Sequence, residues 1–333
     1  MNTANPLPPD TQTRERGGAT GAEGSGTPDH IAILLGLYNG GATIDAQMQS
    51  FVTQSHENWS LIVSDDASND KGTAQVEKFA GTVTNQVRLV EGPQQGFAQN
   101  FLNLLVEAGP TVPLVALSDQ DDVWLPDKLA RAVEMLKTVP EDRPALYASR
   151  TIICDSNLNP LRPSPDFSRP PSFENALVQS IGGGNTMVLN RAALNLAQET
   201  RPHVRGIVAH DWWLYQLITG AGGQVVFDQT PSVLYRQHPT NLIGANDTNR
   251  ARLVRIGQLL QGRFRDWNTT NLATLNAISD RLTPKAQNTL ATFSRIRGGS
   301  LRQRRNALAA SGVYRQTPQG DLALKLAVYL DRA

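Results

Sequence analysis

Residues 117–124 read Leu-Ser-Asp-Gln-Asp-Asp-Val-Trp and end an apolar run, which predicts a short buried strand. Three carboxylates, Asp119, Asp121 and Asp122, follow within four residues. Carboxylates this close repel each other unless a cation or solvent compensates their charge. Their oxygen atoms suit Mg²⁺ or Mn²⁺, and such a metal keeps coordination positions open for the phosphate oxygens of a substrate. The alternative interpretation is a solvated acidic turn ahead of a helix that starts near Pro126.

Predicted strands and helices alternate from residue 30 to about residue 155. The strands are predicted at 30–38, 59–63, 87–90, 112–117, 145–148 and 151–154, and the helices at 43–54, 73–79, 98–107 and 126–137. This alternation predicts an α/β fold, in which a mainly parallel, Rossmann-like sheet is flanked by helices. Ligands bind to such sheets outside the carboxyl ends of the strands. Polar clusters fall at three of these ends, at 38–39, 65–66 and 119–122, which indicates a binding site there.

The second half of the main body is less regular. We predict an irregular loop at 157–172, where proline and asparagine are frequent, and later short elements that end the sheet. These later elements are helices at 173–179 and 210–219 and strands at 186–189, 225–227 and 232–235. Gly182, Gly183 and Gly184 precede a strand, so they do not form a dinucleotide fingerprint, which opens a helix. They form either a flexible turn or a place where bare backbone approaches a ligand closely.

The composition is that of an ordinary globular protein, with 333 residues of which 40% are hydrophobic and 18% charged. The single cysteine, Cys154, excludes an intrachain disulfide and a cysteine-based zinc site, and it fits a reducing cytoplasm. No uninterrupted run of 18 apolar residues is present, so we expect no transmembrane helix. The N-terminus lacks the basic and then apolar pattern of a signal peptide.

The net charge of +1 conceals an uneven distribution. Residues 250–305 contain twelve Lys and Arg against two acids, a net charge of +10, whereas residues 1–249 carry about −10. This region is either a helical hairpin with a solvated basic face or a surface that lies on anionic lipid. We expect no nucleic-acid partner because the basic region has few aromatic residues. The apolar stretch 322–330 can dock on the body or pair with a second chain, which allows a homodimer.

We therefore predict three regions. Residues 1–28 are rich in proline, glycine and threonine and form a disordered leader. Residues 29–249 form the main domain, with a nucleotide-binding half at about 29–155 and an acceptor half at about 156–249. Residues 250–333 form a basic helical C-terminal region.

Six motifs follow one another along the chain. They are Tyr38-Asn39-Gly40, Ser64-Asp-Asp-Ala-Ser-Asn-Asp70, Ser118-Asp-Gln-Asp-Asp-Val-Trp124, Gly184-Asn185-Thr186, His210-Asp-Trp-Trp213 and Tyr235-Arg-Gln-His238. In this order, over about residues 30–245, they resemble the family 2 glycosyltransferases of GT-A fold, and most of all their bacterial rhamnosyltransferase-like branch. Each motif is weak alone, and the C-terminal third is not covered equally well. The resemblance implies a GT-A fold with a C-terminal helical appendage.

The resemblance also implies how a nucleotide-sugar donor would be bound. Asp65 would accept a hydrogen bond from the imide N–H of uracil or thymine, a donor that cytosine lacks. Tyr38 and Asn39 would pack against the nucleoside. Arg236 would add positive charge near the diphosphate.

A divalent metal, Mn²⁺ or Mg²⁺, would neutralise the leaving diphosphate. The family pattern makes Asp121 the direct metal ligand, and Asp119 would contact the ribose or the waters of the metal. His238 would help to hold the metal or the diphosphate. Asp122 receives no firm role from the resemblance.

On the acceptor side the family pattern makes Asp211 the general base, which would deprotonate the attacking hydroxyl in an inverting displacement. Gly184, Asn185 and Trp212 would contact the acceptor. Many relatives have Glu-Asp where this chain has His210-Asp211, so the alignment depends on the two tryptophans that follow. If the register differs, Asp211 is only a helix N-cap.

The expected function is a metal-dependent glycosyltransferase that moves a sugar, with L-rhamnose from dTDP-rhamnose preferred over a UDP-sugar, to a lipid-linked or growing cell-surface polysaccharide. We expect it in the cytoplasm, peripheral on the inner face of the plasma membrane, with residues 250–305 against anionic lipid. One alternative is a sugar-phosphate nucleotidyltransferase, although residues 38–41 lack the basic residue of its phosphate-binding loop. A second is a non-catalytic binding protein, although Asp119, Asp121 and Asp211 are all present.

Overall fold

The computed structural model describes residues 29–237 and 263–333. Its strands in these ranges are β1 (Ile31–Leu37), β2 (Trp59–Asp65), β3 (Val87–Glu91), β4 (Leu114–Ser118), β5 (Val123–Trp124), β6 (Ala145–Cys154), β7 (Pro160–Pro163), β8 (Val188–Asn190) and β9 (Gln224–Arg236). Its α-helices there are α1 (Ile44–Val52), α2 (Gly72–Ala80), α3 (Phe97–Glu107), α4 (Lys128–Leu136), α5 (Phe173–Ala176), α6 (Arg191–Thr200), α7 (His210–Gly220), α8 (Arg263–Ala277), α9 (Pro284–Ser294), α10 (Leu301–Ser311) and α11 (Pro318–Tyr329).

The strands form a mixed sheet in the order β3-β2-β1-β4-β8-β6-β9-β5, and β7 pairs with β6. Strands β1 to β4 pair in parallel, as the alternation with helices predicts. The short strand β8 then runs antiparallel to both β4 and β6, whereas β6 and β9 are parallel to each other. The predicted α/β class is confirmed, and the antiparallel β8 is the point at which the parallel half ends.

Four predicted details are wrong. The two predicted strands at 145–148 and 151–154 are the single strand β6, and those at 225–227 and 232–235 are the single strand β9. The predicted breaks fall where the pairing of β6 with β9 is irregular. The register shifts between Ser149 and Thr151, and β9 carries additional residues there. The predicted loop at 157–172 contains β7, and the predicted helix at 173–179 is only α5.

Helix α6 was not predicted, although its sequence carries a start signal. The side chain of Asn190 accepts a hydrogen bond from the backbone N–H of Ala193, which is the usual contact of an N-cap asparagine. The same Asn190 oxygen also accepts from the N–H of Ala145 in β6, so one side chain joins β8, α6 and β6.

Side chains alternate along β1 between two hydrophobic cores, one on each face of the sheet. Ile31, Ile33 and Leu35 pack in the core beneath α1 and α4, whereas Ala32 and Leu34 pack in the other core. This second core includes α3, α6 and α7, and it continues without interruption into the C-terminal helices. Its C-terminal members are Leu272, Leu275, Leu290, Phe293, Leu324, Ala327 and Val328.

The C-terminal helical region is therefore confirmed as α8 to α11, packed on the α7 side of the sheet. The leader at 1–28 and the boundary at 249 fall outside the described residues, so the proposed division into regions stays a prediction. No helix in the described part of the chain has the length and apolar character needed to span a bilayer.

Candidate active site

The pairing of strands brings the polar clusters together at one edge of the sheet. Strand β1 lies between β2 and β4 and is parallel to both, with Leu37 opposite Asp65 and Leu35 opposite Ser118. The residues that follow these three strands therefore emerge side by side. The predicted site at the carboxyl ends of the strands has the required geometry.

Gln120 connects two of these clusters. Its side-chain oxygen accepts a hydrogen bond from the backbone N–H of Tyr38 at 2.8 Å, and its amide group donates to the backbone oxygen of Tyr38 at 2.9 Å. A side chain at position 40 would overlap the Gln120 amide, which accounts for Gly40. The ring of Tyr38 remains 59% exposed above this contact, in the place predicted for a nucleoside contact.

The loops after β1 and β2 are joined by further hydrogen bonds. The side-chain oxygen of Asn39 accepts from the N–H of Asn69 at 2.9 Å, and the N–H of Asn39 donates to the Ser68 hydroxyl at 2.9 Å. The Asp65 carboxylate accepts from the N–H of Ser68 at 3.2 Å and is partly exposed. Asp65 is therefore held at the site while it remains partly exposed, whereas the Asn39 oxygen is already bonded within the loops.

Two other acids of this loop bind the backbone. Buried Asp66 accepts from the N–H groups of Gln94 at 2.6 Å and Gly96 at 2.8 Å, and so fixes the loop that leads into α3. Asp70 accepts from Gly41 at 2.7 Å and Gly72 at 2.9 Å. These two carboxylates fix the loops around the site, whereas Asp65 is the partly exposed acid at the end of β2.

The fully buried Asp122 holds three motifs together. One oxygen accepts a hydrogen bond from the side-chain amide of Asn185, and the other accepts from the backbone N–H of Arg236 at 3.0 Å. The Arg236 guanidinium donates to the backbone oxygens of Asp121 at 2.8 Å and Ser156 at 2.6 Å. Asp122 thus positions the acidic turn, and the sequence analysis missed this role.

The predicted contacts of Asn185 and Arg236 with substrates remain predictions. In the structure the Asn185 amide and the Arg236 guanidinium both bind groups of the protein itself. His238 lies outside the described residues. Of the predicted metal and diphosphate ligands, the described ones are Asp119, Asp121 and Arg236.

Asp119 and Asp121 remain partly exposed at the open side of the turn. Burial, together with the carboxylates of Asp122, Asp121 and Asp211, raises the pKa of Asp119 well above its ordinary value. Burial and the charge of Asp121 likewise raise the pKa of Asp122 to about 7. This concentration of negative charge fits a divalent cation, which would lower these pKa values again.

The carboxylates of the acidic turn suit a hard cation that takes most of its ligands from the substrate and from water. Within residues 29–237 and 263–333, no group of three or more His, Cys, Asp and Glu side chains surrounds a common metal position. The described acids Asp119 and Asp121 would therefore leave several positions for phosphate oxygens and water, as Mg²⁺ commonly requires.

The charge of Asp211 contributes to the raised pKa of Asp119. Asp211 lies near the acidic turn, because Asn185 binds Asp122 and the neighbouring Gly184 contacts His210, which precedes Asp211. It lies in the first turn of α7, and its carboxylate accepts a hydrogen bond from the N–H of Trp212 at 2.7 Å. Burial raises the pKa of Asp211 to about 6, although the N–H groups of Trp212 and Gly184 counteract this rise. A carboxylate with this pKa is well suited to accept a proton near neutral pH.

Gly184 and His210 are in close contact. A Cβ atom at position 184 would overlap the imidazole of His210, so the glycine is required by a neighbouring side chain of the protein. The imidazole is buried and stacked on Phe101, with ring centroids 3.8 Å apart and an interplanar angle of 18°. Burial lowers the pKa of His210 to about 3, so the ring is neutral at physiological pH.

Trp212 is directed into the protein. Its indole N–H donates to the backbone oxygen of Ala176 at 2.6 Å, and its ring packs edge-on against Trp267 of α8. Contact of Trp212 with an acceptor therefore stays a prediction, as does contact of Gly184.

Comparisons with known proteins indicate the family of the chain. Residues 33–194 match the family model of glycosyl transferase family 2. The dTDP-rhamnosyl transferase RfbG of Shigella flexneri is 25% identical over 258 residues, which cover 74% of this chain and 85% of that protein. The UDP-Glc:alpha-D-GlcNAc-diphosphoundecaprenol beta-1,3-glucosyltransferase WfgD of Escherichia coli is 26% identical over 167 residues, which cover 50% of this chain and 62% of that protein.

A solved structure supports the fold. The crystal structure of S. aureus TarS 1–349 in complex with UDP-GlcNAc superposes with a TM-score of 0.51 and covers 85% of this chain and 89% of that one. The two sequences are 14% identical, so this likeness concerns the fold.

Proposed function

Because the chain belongs to the family 2 glycosyltransferases and has their GT-A fold, we propose that it transfers L-rhamnose from dTDP-L-rhamnose to a hydroxyl of a cell-surface polysaccharide under assembly. One observation carries the mechanism. Asp65 and the pair Asp119 and Asp121 lie at one edge of the sheet. Asp211 lies near them, because Asn185 binds Asp122 and the neighbouring Gly184 contacts His210, which precedes Asp211.

Donor recognition begins with the base. The partly exposed carboxylate of Asp65 accepts the imide N–H of thymine or uracil, and the exposed ring of Tyr38 covers the nucleoside. The choice of dTDP-rhamnose over a UDP-sugar is supported by the similarity to the rhamnosyl transferase from Shigella, which spans most of both chains. Gln120 keeps the Tyr38 backbone in place for this contact.

The diphosphate lies at the acidic turn with Mg²⁺ or Mn²⁺. Asp121 would hold the metal, and Asp119 would contact the ribose or the waters of the metal. His238, which lies outside the described residues, would be a further ligand. When bound, the metal neutralises the charge that develops on the leaving diphosphate. Asp122, Asn185 and Arg236 keep the backbone of the turn in position, so that Asp119 and Asp121 remain directed toward the ligand.

Asp211 is the general base. It takes the proton of the acceptor hydroxyl as the hydroxyl oxygen forms a bond to the anomeric carbon, while the bond from this carbon to the diphosphate oxygen breaks. Attack from the face opposite the leaving group inverts the anomeric configuration. The N–H groups of Trp212 and Gly184 hold the carboxylate in the orientation for this transfer.

The acceptor is a lipid-linked saccharide or a growing polysaccharide, which presents a hydroxyl to Asp211. Support comes from the relative in Escherichia coli whose name specifies a diphosphoundecaprenol acceptor. A lipid-linked acceptor would bring the enzyme to the inner face of the plasma membrane.

Donor hydrolysis tests this proposal directly. Purified protein is incubated with dTDP-rhamnose, UDP-glucose, UDP-galactose or GDP-mannose, with Mg²⁺, with Mn²⁺ or with EDTA, and nucleotide release is measured. We expect metal-dependent release from dTDP-rhamnose and its loss in Asp121→Ala. Release from GDP-mannose alone would contradict the role of Asp65, and release that persists in EDTA would contradict the metal.

A second measurement covers the case in which hydrolysis requires an acceptor. Calorimetric titration with dTDP and metal then measures donor binding without chemistry. Binding that weakens in both Asp65→Ala and Asp121→Ala supports the site, whereas unchanged binding in both variants would place the nucleotide elsewhere.

A further inference from the structure

Helix α11 is apolar on two opposite faces. Its inner residues Leu324, Ala327 and Val328 are buried in the core that α11 shares with α7. Its outer face carries Leu322, Leu326, Tyr329 and Leu330, which are 59%, 50%, 57% and 48% exposed. The spacing of these four residues, here called the outer stripe, places them on one side of the helix. A helix that is apolar all round is usually covered on both sides.

The outer stripe borders an open groove between α10 and α11. The groove has a volume of about 610 Å³ and is lined from the α10 side by Arg305, Leu308 and Val313 and from the α11 side by Leu322, Leu326 and Tyr329. Its lining combines apolar side chains with the charged groups of Arg305 and Lys325. Such a lining suits an amphipathic partner.

The surroundings of the stripe are positively charged. Residues 295–333 contain eight Lys and Arg against two acids, a net charge of +6. Both acids are engaged, since Asp321 pairs with Arg169 at 2.8 Å and Asp331 pairs with Arg265 at 3.3 Å. Four exposed cations belong to this region. Arg305 on α10 and Lys325 on α11 line the groove together with the stripe, and Arg302 and Arg332 lie on α10 and just after α11. In the part of the chain that the structure describes, none of these four forms a salt bridge.

We propose that the outer stripe and its four cations form a docking surface for an anionic lipid membrane. The leucines and Tyr329 enter the boundary between head groups and acyl chains, and the cations contact lipid phosphates, a combination typical of interfacial helices. A symmetric pair of chains would instead bring the same cations of both copies against one another. Charge complementarity therefore favours lipid over a second copy.

This surface extends the proposed function, because a lipid-linked acceptor must be reached at the membrane. It also revises the predicted membrane contact at 250–305. That range includes Arg302 and Arg305, but the apolar residues that would enter the bilayer lie on α11, beyond residue 305.

Vesicle sedimentation with the full-length protein tests the surface. Vesicles of phosphatidylcholine alone are compared with vesicles that also contain phosphatidylglycerol, at low and high salt. We expect binding to the anionic vesicles and its loss at high salt. Each removed cation should lower the partition coefficient about fivefold, so Arg302→Gln/Arg305→Gln should lower it about 25-fold.

The apolar part is tested with Leu322→Gln/Leu326→Gln, which should lower the partition coefficient at least about tenfold. The matched control is Val106→Gln on α3, which changes an apolar side chain of similar exposure (47%) outside the C-terminal helices and should bind as the wild type does. Equal binding to neutral and anionic vesicles, or unchanged binding in both double variants, would overturn the proposal.

Light scattering tests whether a second copy of the chain, rather than lipid, covers the outer stripe. A dimer that Leu322→Gln/Leu326→Gln dissociates, with no vesicle binding by the wild type, would assign the stripe to a second copy and overturn the lipid proposal. Donor hydrolysis is measured for the same variants without vesicles. A variant that hydrolyses the donor normally but no longer binds vesicles has lost only the docking surface. If the wild type itself does not hydrolyse the donor, the result contradicts the proposed function and not the docking surface.

Discussion

The side-chain amide of Asn185 donates a hydrogen bond to the fully buried carboxylate of Asp122. The two residues are 63 positions apart, and the second oxygen of Asp122 binds the backbone of Arg236, 114 positions away. Three separate segments thus depend on one carboxylate at the base of the acidic turn. Its replacement should therefore affect folding as well as catalysis.

We expect Asp122→Asn to lower the free energy of unfolding by about 2–3 kcal/mol. The new amide N–H group would face either the Asn185 amide or the Arg236 N–H, which are both hydrogen-bond donors. Donor hydrolysis should also fall, since the turn that carries Asp121 loses its anchor. Urea unfolding and hydrolysis rates are the measurements. The control is Asp127→Asn, at an acid that is 54% exposed, and equal stability of the two variants would contradict the anchoring role.

Gly184→Ala places a methyl group against the His210 ring, which is already stacked on Phe101. We expect a loss of about 1–3 kcal/mol in the free energy of unfolding, the usual penalty for overpacking. His210→Ser in the same chain should relieve part of this loss, so the two changes should not be additive. Gly81→Ala, where the new methyl group would make an ordinary 3.5 Å contact, is the control. Additive effects of the first two changes would refute the contact.

Activity should depend on the protonation of Asp211. Burial raises the pKa of this group to about 6, and a general base acts only when deprotonated. The rate should therefore be level above pH 7 and fall as the pH drops below about 6, to about a tenth of the plateau at pH 5. A pH–rate profile on the sugar transfer measures this, and an unchanged rate at pH 5 would exclude Asp211 as the base.

Asp211→Asn should reduce transfer by about 10²–10⁴-fold. Because the amide oxygen can still accept from the N–H of Trp212, thermal stability should change little. Asp280→Asn, at an acid that is 77% exposed on the C-terminal region, serves as the control for a lost negative charge. If Asp211→Asn retains transfer but loses stability, the residue is only a helix cap.

Lys128 is fully buried with its ammonium group 3.6 Å from the centre of the Trp124 ring. In the described part of the chain this group has no hydrogen-bond partner, and burial lowers its pKa to about 7. The folded state therefore disfavours the charged form, and this penalty is relieved as the pH rises from about 7 toward the ordinary value of 10.5.

Lys128→Met should consequently raise the free energy of unfolding at pH 7 by about 1–3 kcal/mol, after allowance for the lost cation–π contact. The advantage over the wild type should shrink between pH 7 and pH 10, because the wild type gains stability over this range. Urea unfolding at several pH values measures the difference. A constant difference across the range would show that the lysine is not titrating.

The architecture of residues 30–155 was predictable because it depends on local patterns. The apolar runs of β1, β2 and β4 and the polar residues after them lie within single short segments. The alternation of strands and helices also predicted that the polar clusters meet at one edge of the sheet. Asp65, Asp119 and Asp121 do lie at this common edge, and their roles stay predictions.

The contacts that were missed join distant segments. Nothing near Asp122 in the sequence indicates Asn185, and nothing near Gly184 indicates that its neighbour is His210. The direction of β8 and the continuity of β9 depend likewise on pairing with other strands. Helix α6 is a different case, because Asn190 followed by alanines and leucines was a usable start signal.

The core that α3 and α7 share with the C-terminal helices has a consequence for the evolution of this protein. Leu275, Leu290 and Phe293 occupy the same apolar interior as Leu34 and Leu117 of the sheet. A gene fragment that ended at residue 249 would encode a sheet with this interior open to water, and its product should aggregate. Substitutions on the two sides of this interior therefore constrain one another. The C-terminal helices and the sheet domain should evolve as one unit, and relatives should seldom exchange one without the other.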